Sequence, residues 1–110
     1  MPRGFGGGSG MGDLVRQAQK MQQRMAEVQQ DLKERIVEGT AGGGMVTILV
    51  NGQQDIVAVK IDPQVIDPKD PAMLEDLILA AARQGLKKAR DMAQEEMGKV
   101  TGGVNLPGLF

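Results

Sequence analysis

Between Ile36 and Ile61 the apolar residues come in three short runs, each bounded by glycine, asparagine or aspartate. That pattern predicts antiparallel strands over Ile36–Thr40, Met45–Val50 and Asp55–Ile61. Gly42-Gly43-Gly44 makes the first reversal and Asn51-Gly52 opens the second. Within the middle strand Val46, Ile48 and Val50 share one face, while Met45 and Leu49 share the other with Thr47 between them. A sheet with one wet face alternates apolar and polar residues. This one asks for cover on both sides, and the chain's own helices can supply only one. A second copy is the expected cover for the other, with Val46, Ile48, Leu49 and Val57 as core and dimer residues. Register follows from matching apolar partners. A two-residue Asn51-Gly52 turn would set Ile48 against Asp55. A four-residue loop, Asn51–Gln54, sets Val50 against Asp55, Leu49 against Ile56, Ile48 against Val57 and Val46 against Val59, and is preferred.

The flanking segments have helical periodicity. After Asp13, an expected N-cap, come Leu14, Ala18, Met21, Met25, Val28 and Leu32. Alternating steps of four and three make a heptad seam. A helix over Asp13–Glu34 is a rod of ~30 Å, whereas strands of this size run ~17–24 Å. The helix therefore overhangs the sheet. Its seam meets either the second helix of the same chain or a partner chain.

Asp62-Pro63, Asp67-Pro68 and Asp70-Pro71 follow the sheet. Three nearby carboxylates raise the question of a metal, but their spacing is not that of a calcium loop. Turn and cap chemistry accounts for them: Asp70 caps a helix and Pro71 takes its first position. That helix runs to about Lys99, ~42 Å, with Leu74, Leu77, Ile78, Ala81, Ala82, Ala89, Met92 and Met97 on its apolar side. Gly85 in its middle costs ~1 kcal/mol against alanine and marks a close contact or a bend.

Charge adds a second pattern. Arg16, Lys20 and Arg24 form a ridge on the first helix, ~120° around from the seam. Like charges four apart repel, and cations near a helix N-terminus oppose its dipole. Acids come later, at Glu27, Asp31 and Glu34. The second helix repeats the arrangement: Arg83, Lys87, Lys88 and Arg90, then Asp91, Glu95 and Glu96. Arg83, Lys87 and Arg90 share one face. Such ridges are either anion grips or solvated faces.

Composition removes whole classes of function. The 110 residues include no cysteine, histidine, tryptophan or tyrosine. The usual general base, thiolate metal ligands and most base-stacking groups are therefore missing. Ser9, the only serine, lies in a glycine tract. No catalytic, cofactor or metal site and no small-molecule substrate is expected. Net charge is −1, so no global basic field advertises nucleic acid. No apolar run reaches the ~18–20 residues of a membrane span, so a cytoplasmic protein without membrane contact is expected. Residues 1–12 read as a flexible glycine-rich arm, since no strand precedes the glycines and no Gly-Lys-Ser/Thr follows.

A set of short pieces then carries a resemblance. They are Gly43-Gly44 before Val46–Val50, Asn51-Gly52, Ile61-Asp62-Pro63, Met73-Leu74-Glu75-Asp76-Leu77, Ala80-Ala81 and Gly102-Gly103-Val104-Asn105-Leu106-Pro107-Gly108. In that order and spacing the chain resembles the YbaB/EbfC family of bacterial nucleoid-associated DNA-binding proteins. Arg83-Gln84-Gly85 depart from it, standing where the family usually has Asn, any residue, Ala. The resemblance implies an α+β protomer, helix–three-stranded antiparallel sheet–helix, in a homodimer joined through the sheets with projecting helices. A single domain would span 13–101, followed by a tail at 102–110. It also implies a non-enzymatic protein that binds double-stranded DNA in the nucleoid, organising the chromosome or modulating transcription. The family's contact residues are not a fixed motif. The expected DNA contacts, Arg16, Lys20, Arg24, Arg83, Lys87 and Arg90, therefore rest on the ridges alone. The alternative is a dimeric adaptor that binds another protein without useful DNA affinity.

Overall fold

A strand can lie flat against a helix only where side chains leave room, and here both elements supply glycine at the same point. In the computed structural model, which describes residues 8–100, a Cβ built on Gly39 would collide with the Ala81 carbonyl and the Gly85 backbone. One built on Gly85 would lie 2.9 Å from Val50 Cγ2 and 3.2 Å from Gly39 N. Around this contact the elements run α1 (Gly8–Glu34), β1 (Ile36–Ala41), β2 (Val46–Asn51), β3 (Ile56–Ile61), a 3-10 turn at Pro63–Val65, and α2 (Pro71–Val100). The strands form one antiparallel sheet in the order β1-β2-β3. This is the expected helix–sheet–helix protomer. Gly85 therefore marks close approach.

The core lies between α2 and the inner face of the sheet. Val46, Ile48 and Val50 are fully buried against Ala81 and Ala89, with Val37, Ala41, Leu74, Leu77 and Ile78 around them. Each large aliphatic side chain buried there contributes about 1.5–3 kcal/mol. The helix also blunts the free edge of β1. Thr40 N–H donates to Gln84 Oε1 (2.8 Å), and Lys88 Nζ donates to the Glu38 carbonyl (3.0 Å). These contacts occupy backbone groups that would otherwise recruit another strand.

The loop between β2 and β3 corrects the expected register. Gln54 N–H donates to the Asn51 carbonyl and Asn51 N–H to the Asp55 carbonyl, both at 2.9 Å. The Asn51 carboxamide accepts from Gln53 N and Asp55 N (2.9 and 3.0 Å). Gln54 sits at φ 66°, so the hairpin has a three-residue loop ending in a left-handed residue. Val57 is then an extra residue, because Val50 pairs with Ile56 while Leu49 pairs with Ala58. As a result Ile48 faces Val59 and Val46 faces Ile61. Both registers considered from the sequence are wrong, and the physical reason is this turn-plus-bulge.

Gly52 has a further role. Its N–H donates to the Leu32 carbonyl at 2.8 Å, and a Cβ there would lie 2.6 Å from that oxygen. The end of α1 therefore docks on the hairpin, burying Leu32. The start of α1 differs from expectation. Asp13 does not cap; the helix begins at Gly8, and the Asp13 carboxylate accepts from Arg16 instead (2.7 Å). No proline interrupts residues 8–12, and each added helical residue gains a backbone hydrogen bond once the helix is nucleated. The rest of the expected arm, residues 1–7, and the expected tail lie outside the described residues.

All three Asp-Pro aspartates accept backbone N–H groups. Asp62 takes Gln64 N (2.9 Å), Asp67 takes Lys69 N (2.9 Å) and Asp70 takes Met73 N (3.3 Å). The last starts α2, with Pro71 as its first residue. Gly39→Ala should destabilise the protein by about 1–3 kcal/mol or more through overpacking, read as a lower urea midpoint. Gly10→Ala, with nothing within 4 Å of the added atom, should not lower that midpoint.

Candidate nucleic-acid interface

The expected DNA contacts are all exposed, but they are not equivalent. On α1, Arg16 is paired with Asp13, whereas Lys20 and Arg24 have no acidic partner among the described residues. With Gln17, Met21 and Val100 these two cations line a shallow cleft of about 230 Å³. On α2, Lys87 is paired with Asp91 at 2.8 Å. Hydrogen bonding from Lys87 holds the Asp91 carboxyl below its ordinary range, with the nearby Arg90 charge adding to the effect. Arg83 and Arg90 have no acidic partner among the described residues. Lys88 is exposed as well, and its ammonium donates to the Glu38 carbonyl at the edge of β1.

The acids collect where the helices cross. α1 and α2 run antiparallel there: Arg35 Nη1 lies 3.5 Å from Glu96 Oε1 and 3.9 Å from Asp31 Oδ2, and Lys99 Nζ lies 2.8 Å from Glu96 Oε2. Glu96 is held below its usual pKa first by its hydrogen bond from Lys99, then by the Lys99 and Arg35 charges, against the opposing effect of burial. Arg35, a bridging residue with no repeat pattern to announce it, was not singled out from the sequence.

The two basic ridges do not merge. Arg24 lies level with Val100, and Arg90 is ten residues back along α2, about 15 Å, with Arg83 about 25 Å away. The molecule is 81 × 23 × 17 Å, and the ridges occupy different stretches of that length with the acidic crossing between them. Among the described residues, little covers the N-terminal half of the α1 seam. Met25 and Val28 are half-buried and Leu32 is buried, but Leu14 and Met21 are 64% and 42% exposed.

The expected core and dimer residues divide in the same way. Val46 and Ile48 are buried within the protomer and Leu49 is half-buried, while Val57, at the bulge, is 50% exposed. The exposed apolar residues of the sheet gather on β3, where Ile56 and Val59 join Val57. Ile56 and Val59 were not singled out, although the apolar run through β3 was the available signal.

Residues 7–104 match the model of the YbaB/EbfC DNA-binding family. The chain belongs to this family. A nucleoid-associated protein of Clostridium kluyveri is 50% identical over 106 residues, covering 96% of this chain and 93% of that one. One of Pelotomaculum thermopropionicum is 50% identical over 103 residues, covering 94% and 98%. The crystal structure of an uncharacterized protein from Helicobacter pylori superposes with a TM-score of 0.72 at 22% identity, covering 86% of this chain and 96% of that one. That likeness speaks to the fold. YbaB/EbfC membership and the relatives' names describe a DNA-binding protein of the nucleoid, not an enzyme. Among the described residues no helix is long and apolar enough to cross a membrane.

The crossing makes a pH prediction. A carboxyl whose folded pKa lies below its unfolded value contributes stability above the unfolded value, lost as pH falls through the folded one. Glu96→Gln should therefore be less stable than the parent at neutral pH. The gap should close as pH drops from the ordinary 4.5 downward, measured by thermal melts across that window.

Proposed function

We propose that this chain binds double-stranded DNA as a homodimer, holding phosphates with cations carried on its two helices and showing little sequence preference. The observation that carries this reading is that Lys20, Arg24, Arg83 and Arg90 stand exposed, without acidic partners among the described residues, in a protein of a DNA-binding family. Arg16 and Lys87 join them readily, because an exposed ion pair is worth only ~0–1 kcal/mol and a phosphate can replace the carboxylate. Phosphate contacts position a protein without reading sequence, and the chain lacks tyrosine and tryptophan for stacking. In the cell this activity would place the protein on the nucleoid in the cytoplasm, organising chromosomal DNA or modulating transcription.

The dimer is supported by β3. It is an edge of the sheet that the described residues leave uncovered, and Ile56, Val57 and Val59 are each about half exposed. Joining two copies there would bury an apolar strand that α2 leaves open and would double the number of cations. Sedimentation of the full chain should give a dimer at micromolar concentration, and Val59→Glu should shift it to monomer. A compact wild-type monomer would remove the homodimer from the proposal.

DNA binding is tested by its salt dependence. Each phosphate neutralised adds ~0.9 to the slope of log affinity against log salt. Arg16→Ala combined with Lys20→Ala and Arg24→Ala should flatten that slope, leaving the melting temperature nearly unchanged because like charges on a solvated face repel. A wild-type slope in the triple variant would clear α1 of the role. If the wild-type protein shows no salt-dependent binding to any DNA, the adaptor reading takes over, to which a net charge of −1 is better suited.

A further inference from the structure

An asparagine followed by glycine can modify itself. The glycine nitrogen attacks the side-chain carbonyl carbon of the asparagine, and a residue without Cβ leaves that approach open. Asn51-Gly52 is such a pair, whereas the other asparagine, Asn105, precedes leucine. The fold holds both reacting groups. Gly52 N–H donates to the Leu32 carbonyl at 2.8 Å and to the Arg35 carbonyl at 3.1 Å. The Asn51 carboxamide oxygen accepts from Gln53 N and Asp55 N at 2.9 and 3.0 Å. Asn51 is only 5% exposed, and Gly52 is buried beside it.

The two sets of restraints have different origins. Those on the carboxamide lie within the hairpin, while those on Gly52 come from the end of α1 and the residue after it. The Leu32 side chain also crowds the glycine, since a Cβ built there would lie 2.8 Å from both Leu32 Cβ and Leu32 Cδ2. Attack requires Gly52 N to give up its proton and the carboxamide to swing free. We propose that Asn51-Gly52 is a self-modification site, closed by the docking of α1 and opened when the end of α1 lifts from the hairpin. In the open state a bond forms from Gly52 N to Asn51 Cγ, the Cγ–Nδ2 bond breaks, and ammonia leaves with the Gly52 amide proton. Water then opens the ring, and nothing is oxidised or reduced. Opening at Cγ gives aspartate at this position. Opening at the main-chain carbonyl gives isoaspartate, which places an extra methylene in the backbone ahead of Gly52. That product displaces Gly52 N–H from the Leu32 carbonyl and keeps α1 off its seat. The chemistry is independent of whether α1 touches DNA.

The full chain is incubated in mildly alkaline buffer, native and in denaturing urea. Conversion of Asn51 is followed by peptide mass mapping and by enzymatic methylation of isoaspartate. The native chain should convert about tenfold more slowly or less, because only a locally opened fraction reacts. Equal rates overturn the proposal. Leu32→Ala removes the side chain seated against Gly52 and should speed native conversion more than Ile48→Val, which loosens the core beneath α2. Equal acceleration by both would route the reaction through global unfolding and overturn the role of α1. Amide hydrogen exchange of the wild-type protein tests the gate without a variant. Gly52 N–H should exchange faster than Ile48 N–H in the central strand. Identical rates would mean that Gly52 opens only with the whole protein, which also overturns the gate.

Discussion

Everything in this protomer depends on the backbone-to-backbone contact of Gly39 with Gly85. With no Cβ on either residue, α2 settles close enough to bury Val46, Ile48 and Val50 beneath Ala81 and Ala89. The same closeness brings Gln84 and Lys88 to the edge of β1, where they occupy its free backbone groups. One edge of the sheet is thereby closed by the helix, and the other, β3, keeps its apolar residues about half exposed. The asymmetry that leaves β3 exposed is thus a consequence of where two glycines fall.

Much of this architecture was legible from the chain. The cap at Asp70, Pro71 as the first helical residue, and glycine at the first reversal are local devices, so their meaning survives without tertiary knowledge. The inward set Val46, Ile48 and Val50 was also clear, because alternation assigns faces whatever the partner. Register was not legible. Pairings two residues apart present the same faces, so the apolar pattern could not choose between them. The choice was made by a left-handed Gln54 and an extra Val57, which leave no compositional mark. Asn51-Gly52 was read as a reversal, whereas Gly52 also makes room for the Leu32 carbonyl of α1, a contact between distant segments.

The candidate site shows the same division. Exposure of the two ridges followed from helical spacing. Which cations are engaged did not, because Asp13–Arg16 and Lys87–Asp91 form on the same helices by rotamer choice. Lys88, which spacing left off the ridge, is held by the Glu38 carbonyl. The seam of α1 looked continuous, yet only its last turns, through Leu32, are deeply covered by described residues. Periodicity states which side of a helix wants burial. It does not state how far along that side a neighbour extends.

The docking of α1 has a mechanical consequence. Its base is fixed where the Leu32 carbonyl meets Gly52, while Arg16 lies sixteen residues out, a lever of about 24 Å. A repacking at the base that tilts α1 by about 10° would carry the Arg16 end through roughly 4 Å. A small adjustment at a buried glycine is thereby amplified into a displacement of several times its size at the helix tip. Built in this way, the Arg16 end can move without rearranging the core between α2 and the sheet.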